Sequence, residues 1–124
     1  MLALLGCAAL ARAQEPRVHV EIQGENTLER AAHLGVAVVV QLPAAANAPL
    51  LLTPHIEGSA VEVVRGRLSR SDAKALDATH LRIEVPVVAR SEGTAILRVD
   101  VGTYVCEPRC VPVSASASRV LHVR

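Results

Sequence analysis

Apolar and polar positions alternate with a period of two in several separate stretches of the chain. In Arg17 to Gln23 (RVHVEIQ), Val18, Val20 and Ile22 fall on one side and His19, Glu21 and Gln23 on the other. Successive side chains of an extended backbone point to opposite faces, so this is the signature of a half-buried strand. His80 to Val88 repeats it, with Leu81, Ile83, Val85 and Val87 on one face and Arg82 and Glu84 on the other. Thr94 to Val105 is the longest such stretch, with Leu97, Val99 and Val101 inward and Arg98 and Asp100 outward. Near the end, Ser118 to Val123 sets Leu121 and Val123 against Val120 and His122.

Other stretches are apolar without clean alternation. Leu34 to Leu42 (LGVAVVVQL) predicts a strand buried on both faces or central in a sandwich. Leu50 to Thr53 predicts a short strand ended by Pro54, and Ala60 to Arg65 another, bounded by Gly58 and Gly66. Leu68 to Thr79 (LSRSDAKALDAT) is different. It suits either one helical turn with Ser71 as N-cap or a polar connection between sheets. Seven or eight short strands separated by turn residues, with no strand–helix alternation, predict an all-β fold. The architecture expected is an immunoglobulin-like antiparallel β-sandwich. The wide cysteine pair around a core Trp that marks true immunoglobulin domains is absent, so this expectation concerns architecture alone.

Composition sharpens the picture in one respect. The 124 residues include no Phe and no Trp, and Tyr104 is the single aromatic. The core must therefore be built from Val, Leu, Ile and Ala, and branched Val favours strands. A formal net charge of +1 offers no basic stripe, and there are no aromatic platforms, so nucleic-acid binding is not indicated.

The first residues read as a targeting segment. Leu2 to Leu10 is apolar but too short to span a bilayer, and it ends in Ala11-Arg12-Ala13, an A-x-A-like cleavage site. This predicts a signal over 1–13 and a β-sandwich domain over 14–124. A second processing route is open. Leu4-Leu5-Gly6-Cys7 resembles a bacterial lipobox, in which Cys7 would carry the lipid and anchor the chain to a membrane. On either route the protein is expected in the periplasm or outside the cell, where disulfides persist.

Chemistry concentrates in Gly102 to Val113 (GTYVCEPRCVPV). Cys106 and Cys110 flank Glu107-Pro108-Arg109, and Pro108 favours a turn that brings the two Cα atoms within bonding range. Strand parity puts Cys106 on the face of Asp100 and Tyr104, opposite Val99 and Val101, and hence at the rim. Arg109 beside Cys110 favours a thiolate, while Glu107 beside Cys106 opposes one, so Cys110 is the better nucleophile. Three readings are open at this point: a static hairpin staple, thiol–disulfide exchange, or a soft ion such as Cu(I) held by the two sulfurs. Zinc would need two more ligands, which no neighbouring residue offers.

Elsewhere candidates are sparse. His19, His33, His55, His80 and His122 are scattered without ligand spacing, and His55, between Pro54 and Gly58, reads as a loop residue. Glu25, Glu29, Asp72 and Asp77 read as solvated surface charges. No nucleophile elbow or phosphate-cradling loop occurs, so hydrolysis has no candidate residue, and neither a cofactor nor a metal is implied.

The run from Ala95 to the C-terminus, containing AILRVDVGTYVCEPRCVPV, resembles the end of the N-terminal periplasmic immunoglobulin-like domain of thiol:disulfide interchange proteins of the DsbD type. Related β-domains end some exported thioredoxin-like proteins. Tyr104, Cys106, Cys110 and Pro112 match that family's aromatic, two cysteines and proline in order. The resemblance implies a domain that shuttles reducing equivalents, with a thioredoxin-like protein or a membrane thiol-disulfide interchange protein as partner. It further implies that Cys110 exchanges with the partner and Cys106 resolves the mixed disulfide. Tyr104, Glu107, Arg109 and Pro112 would border the contact. The rival reading is a non-enzymatic extracytoplasmic binding or structural module whose disulfide only pins a turn.

Overall fold

The computed structural model describes residues 17–44, 48–106 and 109–124. The expected signal over 1–13, Cys7, and Glu107 with Pro108 all lie outside the described residues.

The chain is all-β and forms two facing sheets. Ten strands follow in order: β1 (His19–Ile22), β2 (Thr27–Leu28), β3 (His33–Gln41), β4 (Leu50–Glu57), β5 (Val61–Val63), β6 (Leu68–Ser69), β7 (Ala73–Ala75), β8 (His80–Ala89), β9 (Gly93–Cys106) and β10 (Cys110–Val123). One sheet has the order β1-β3-β8-β5, with β7 also paired to β8; the other has the order β2-β10-β9-β4-β6. This is the immunoglobulin arrangement, in which the first, second, fifth and fourth strands make one sheet and the third, sixth and seventh the other. Here β5 and β7 together take the place of the fourth strand. They lie along opposite halves of β8, separated by an excursion to β6 in the facing sheet. Among the described residues all pairings are antiparallel except one: β2 runs parallel to the end of β10 at His122 and Val123.

Alternation drives the packing. Leu81, Ile83, Val85 and Val87 of β8 are at most 1% exposed, and Leu97, Val99 and Val101 of β9 face them equally buried. Val18, Ile22, Val36, Val38, Val40, Leu52, Leu68 and Leu121 belong to the same aliphatic cluster. Lacking rings, the core reaches closure through many small contacts, which branched side chains supply at high density.

Four features depart from the expected pattern. The strand opening at Leu50 runs through Pro54 to Glu57. Beyond Leu52 no described strand pairs with that edge of β4, and a missing donor there costs no ladder bond. His55 is consequently a strand residue, opposite Arg98 on β9, and not a loop residue. β3 buries Val36, Val38 and Val40 on one face only; Ala37 and Val39 on the other are half-buried, although the strand is internal to its sheet. The 68–79 stretch combines both of its alternatives. It holds β6, a single 3-10 turn over Arg70–Asp72, and β7, and the residue capping the turn is Ser69 rather than Ser71.

The turn between β6 and β7 is held by Asp72, not left as a free surface charge. The Arg65 guanidinium donates to both carboxylate oxygens at 2.9 and 3.4 Å, and the Ser69 N–H donates to Oδ2 at 2.8 Å. The Arg65 bond, then the Ser69 amide, holds the Asp72 carboxyl below the ordinary aspartate range. Asp77 does the same for the turn into β8. It accepts from the Thr79 N–H at 2.8 Å and lies 2.8 Å from His80 Nδ1, and these two bonds, in that order, lower its pKa.

Both carboxyls are depressed in the folded state, so their stabilisation is complete above the unfolded value and is lost as pH falls through the folded one. Stability should therefore drop as pH is lowered below about 4. Asp72→Asn and Asp77→Asn should each flatten that drop in thermal unfolding scans across the acid range. In the core, Leu97→Ala should cost about 2–5 kcal/mol by urea denaturation, whereas Leu51→Ala should cost less than about 1 kcal/mol.

A disulfide at the tip of the β9–β10 hairpin

The ladder between β9 and β10 carries the site. It pairs residue with residue from Gly93↔Val123 to Cys106↔Cys110 with no bulge. The two cysteines are thus directly opposed on its last rung, and they are joined as a disulfide with Cα atoms 3.8 Å apart. The register of the whole ladder sets which residues meet.

Parity then decides what surrounds the sulfurs. Val105, one residue earlier, is buried in the core, while Tyr104 and Cys106 are exposed on the outer face. Across the ladder, Pro112 is opposite Tyr104, one same-face step from the cysteine rung. Cys106, Cys110, Tyr104 and Pro112 therefore share one exposed patch; strand parity had placed Cys106 and Tyr104 on that face, and the ladder adds Cys110 and Pro112. Arg109 is exposed beside Cys110. The structure brings these five together, while Glu107 is outside the described residues.

Tyr104 stands between two shallow clefts. The first, about 170 Å³, is lined by Leu42, Pro43, Ala48, Pro49, Tyr104 and Cys106. The second, about 320 Å³, lies among Pro49, Leu51, Gly102, Tyr104, Pro112 and Ser114. The Pro49 side is fixed by Thr103, whose hydroxyl donates to the Pro49 carbonyl. Thr103 is the buried polar residue among those described, so this bond satisfies a group that would otherwise be costly to bury. The rim of the disulfide is therefore proline and aliphatic, with one tyrosine. Pro43, Pro49 and Leu51 escaped the sequence reading because they reach the site from other strands and a loop far off in the chain. The only local hint was the exposed parity of Leu51 within its apolar run.

Further along the same outer face, His55 Nε2 lies 2.9 Å from Asp100 Oδ2, and Arg98 bonds the same carboxylate oxygen at 3.3 Å. Among the described residues no three His, Cys, Asp or Glu side chains converge as metal ligands. No helix among the described residues is long and apolar enough to cross a membrane.

No family model and no curated protein matches the chain. Among solved structures it is similar to the E. coli chaperone DraB, at 14% identity and a TM-score of 0.42, over 86% of this chain and 54% of that one. The chain thus spans about half the length of DraB, a likeness too loose to bear on function.

The geometry makes the bridge's contribution to stability small. It closes a ring of about five residues between positions the ladder already opposes, for which loop closure contributes about 2 kcal/mol. Cys106→Ala/Cys110→Ala should leave the fold intact, with far-UV circular dichroism unchanged. Its unfolding free energy in guanidinium should fall by no more than about 2 kcal/mol.

Proposed function

We propose that this domain is an exported thiol–disulfide relay, or a redox-linked partner domain, whose working group is the Cys106–Cys110 bridge. The observation that carries the proposal is the bridge's position. It is exposed, closes the end of a hairpin that is already fully paired, and lies beside an apolar rim that another protein can cover. A staple placed for stability gains more by joining distant segments. An exposed bridge in a short ring favours exchange. The resemblance of Tyr104, Cys106, Cys110 and Pro112 to the end of the DsbD N-terminal domain supports the same reading.

In this scheme a dithiol protein of the thioredoxin class supplies the electrons. Its thiolate attacks Cys110 Sγ; the new intermolecular S–S bond forms as the Cys106–Cys110 bond breaks, and Cys106 leaves as the thiolate. The partner's second thiolate then attacks its own first sulfur and releases Cys110. Two electrons and two protons have moved to this domain. Passing them on reverses the order: Cys110 attacks a client disulfide, and Cys106 attacks Cys110 Sγ to release the reduced client. Arg109 beside Cys110 favours the thiolate there. Tyr104, Pro112 and the cleft around Pro43 and Pro49 form the contact rim. A periplasmic or extracellular location, with or without a lipid on Cys7, belongs to the same proposal.

Two measurements test it. Equilibration in glutathione buffers should place the bridge above about −250 mV, whereas a structural bridge lies below about −300 mV. With oxidised thioredoxin as a generic client, the Cys110 thiolate of Cys106→Ser should displace one sulfur of the thioredoxin disulfide and stay bonded to the other as a trapped mixed disulfide, because the Cys106 thiol that would release the client is gone. A low potential together with no trapped species from either single serine variant would refute the relay and leave a module with a structural disulfide.

A further inference from the structure

β10 is the outer strand of its sheet for most of its length. β2 pairs with it only at His122 and Val123. In an antiparallel ladder alternate residues direct both N–H and C=O to the same side. The His122 N–H goes outward to Asn26 O, and the Arg124 N–H goes outward to Leu28 O. By that parity Cys110, Pro112, Ser114, Ser116, Ser118 and Val120 also direct their backbone groups outward. Among the described residues no strand is hydrogen-bonded to those outward groups; β1, paired to β3 in the facing sheet, packs close to β10 without pairing to it.

This edge lacks most of the devices that keep sheet edges apart. Its ladder with β9 has no bulge. From Val111 to Ser118 it reads VPVSASAS, without a charged side chain. Arg119, at the far end, is engaged, donating to the Gly24 carbonyl at 2.7 Å. Pro112, which removes one outward donor, is the single obstacle.

We propose that the chain pairs with a second copy of itself along this edge, β10 against β10, antiparallel and centred on Ala115. The centre follows from the free length. Cys110 opens the strand and β2 occupies the flank from His122, so the open stretch runs from Cys110 to Val120 and is symmetric about Ala115. In that register Ser114 faces the partner's Ser116, Pro112 faces Ser118, and Cys110 faces Val120. Apart from the donor missing at Pro112, each pair exchanges two N–H···O bonds. Charge permits a like partner. The two Arg119 residues fall about eight residues apart along the seam, roughly 27 Å, well beyond the Debye length of about 8–10 Å. A two-fold axis normal to the sheet relates the copies, closes the assembly at two and joins the paired sheets into one. The serine hydroxyls of both copies lie on the outer face, where cross-strand pairs interact. The cysteine side chains stay on that face as well, so this inference stands independently of thiol exchange.

Sedimentation equilibrium of the full oxidised chain should show a monomer–dimer equilibrium. Ser114→Lys/Ser116→Lys places lysine opposite lysine across the seam and should raise the dimer dissociation constant by about tenfold or more. Ser114→Glu/Ser116→Lys puts opposite charges there and should return it to the wild-type range or below. Hydrogen exchange gives a readout independent of the variants: the Ser114 and Ser116 amides should gain protection as the wild-type concentration rises. A chain that stays monomeric at millimolar concentration overturns the proposal. So does a dimer indifferent to the paired lysines, one that vanishes in Cys106→Ser/Cys110→Ser, or an edge protected only when a different protein is added.

Discussion

Much of this molecule depends on the ladder between β9 and β10. Fourteen opposed pairs run from Gly93↔Val123 to Cys106↔Cys110. Because side chains alternate with a period of two, a slip of one residue would move Leu97, Val99 and Val101 out of the core and the cysteines apart. The register is held at the core, where Leu97 and Leu121 are buried between the sheets. Aliphatic burial at one end of the hairpin thus decides that two sulfurs meet at the other.

That dependence explains how the site combines rigidity with exposure. Behind the cysteine rung, Val105 is buried and Thr103 ties β9 to the Pro49 carbonyl, so the backbone leading to the bridge is anchored on the core side. The outer face has no such cover. Tyr104 and Pro112 flank the bridge there, and the clefts beside Tyr104 have walls from β4 and from Leu42, Pro43, Ala48 and Pro49. The anchored interior and the open exterior come from the same alternation.

The same parity governs the free edge. Small serines occupy the outer positions of β10, and Val113, Ala115 and Ala117 pack against the core from the inner ones. A strand with an unpaired flank presents a row of free backbone donors and acceptors. The charges that could guard it are placed elsewhere: Arg98 is engaged by Asp100, and Arg119 by the Gly24 carbonyl.

The strands with strong alternation were legible in the sequence, and β8 and β9 bury the residues their pattern named. The first half of β10 was not, because an Ser/Ala alternation carries little hydrophobic contrast and Pro112 argues against a strand interior. Pro54 misled for a related reason: a proline stops a strand only where its missing donor faces a neighbour, and the open edge of β4 has none there. By itself, then, the sequence determined the all-β class, the inward face of each clear strand and the exposed parity of Cys106, since these follow from local period. Tertiary structure alone decided that Cys110 directly opposes Cys106, that Pro43, Pro49 and Leu51 gather at their rim, and that β10 is left with an open flank. Register and strand order arise from contacts between segments far apart in the chain, and a period of two carries no information about which segment lies beside which.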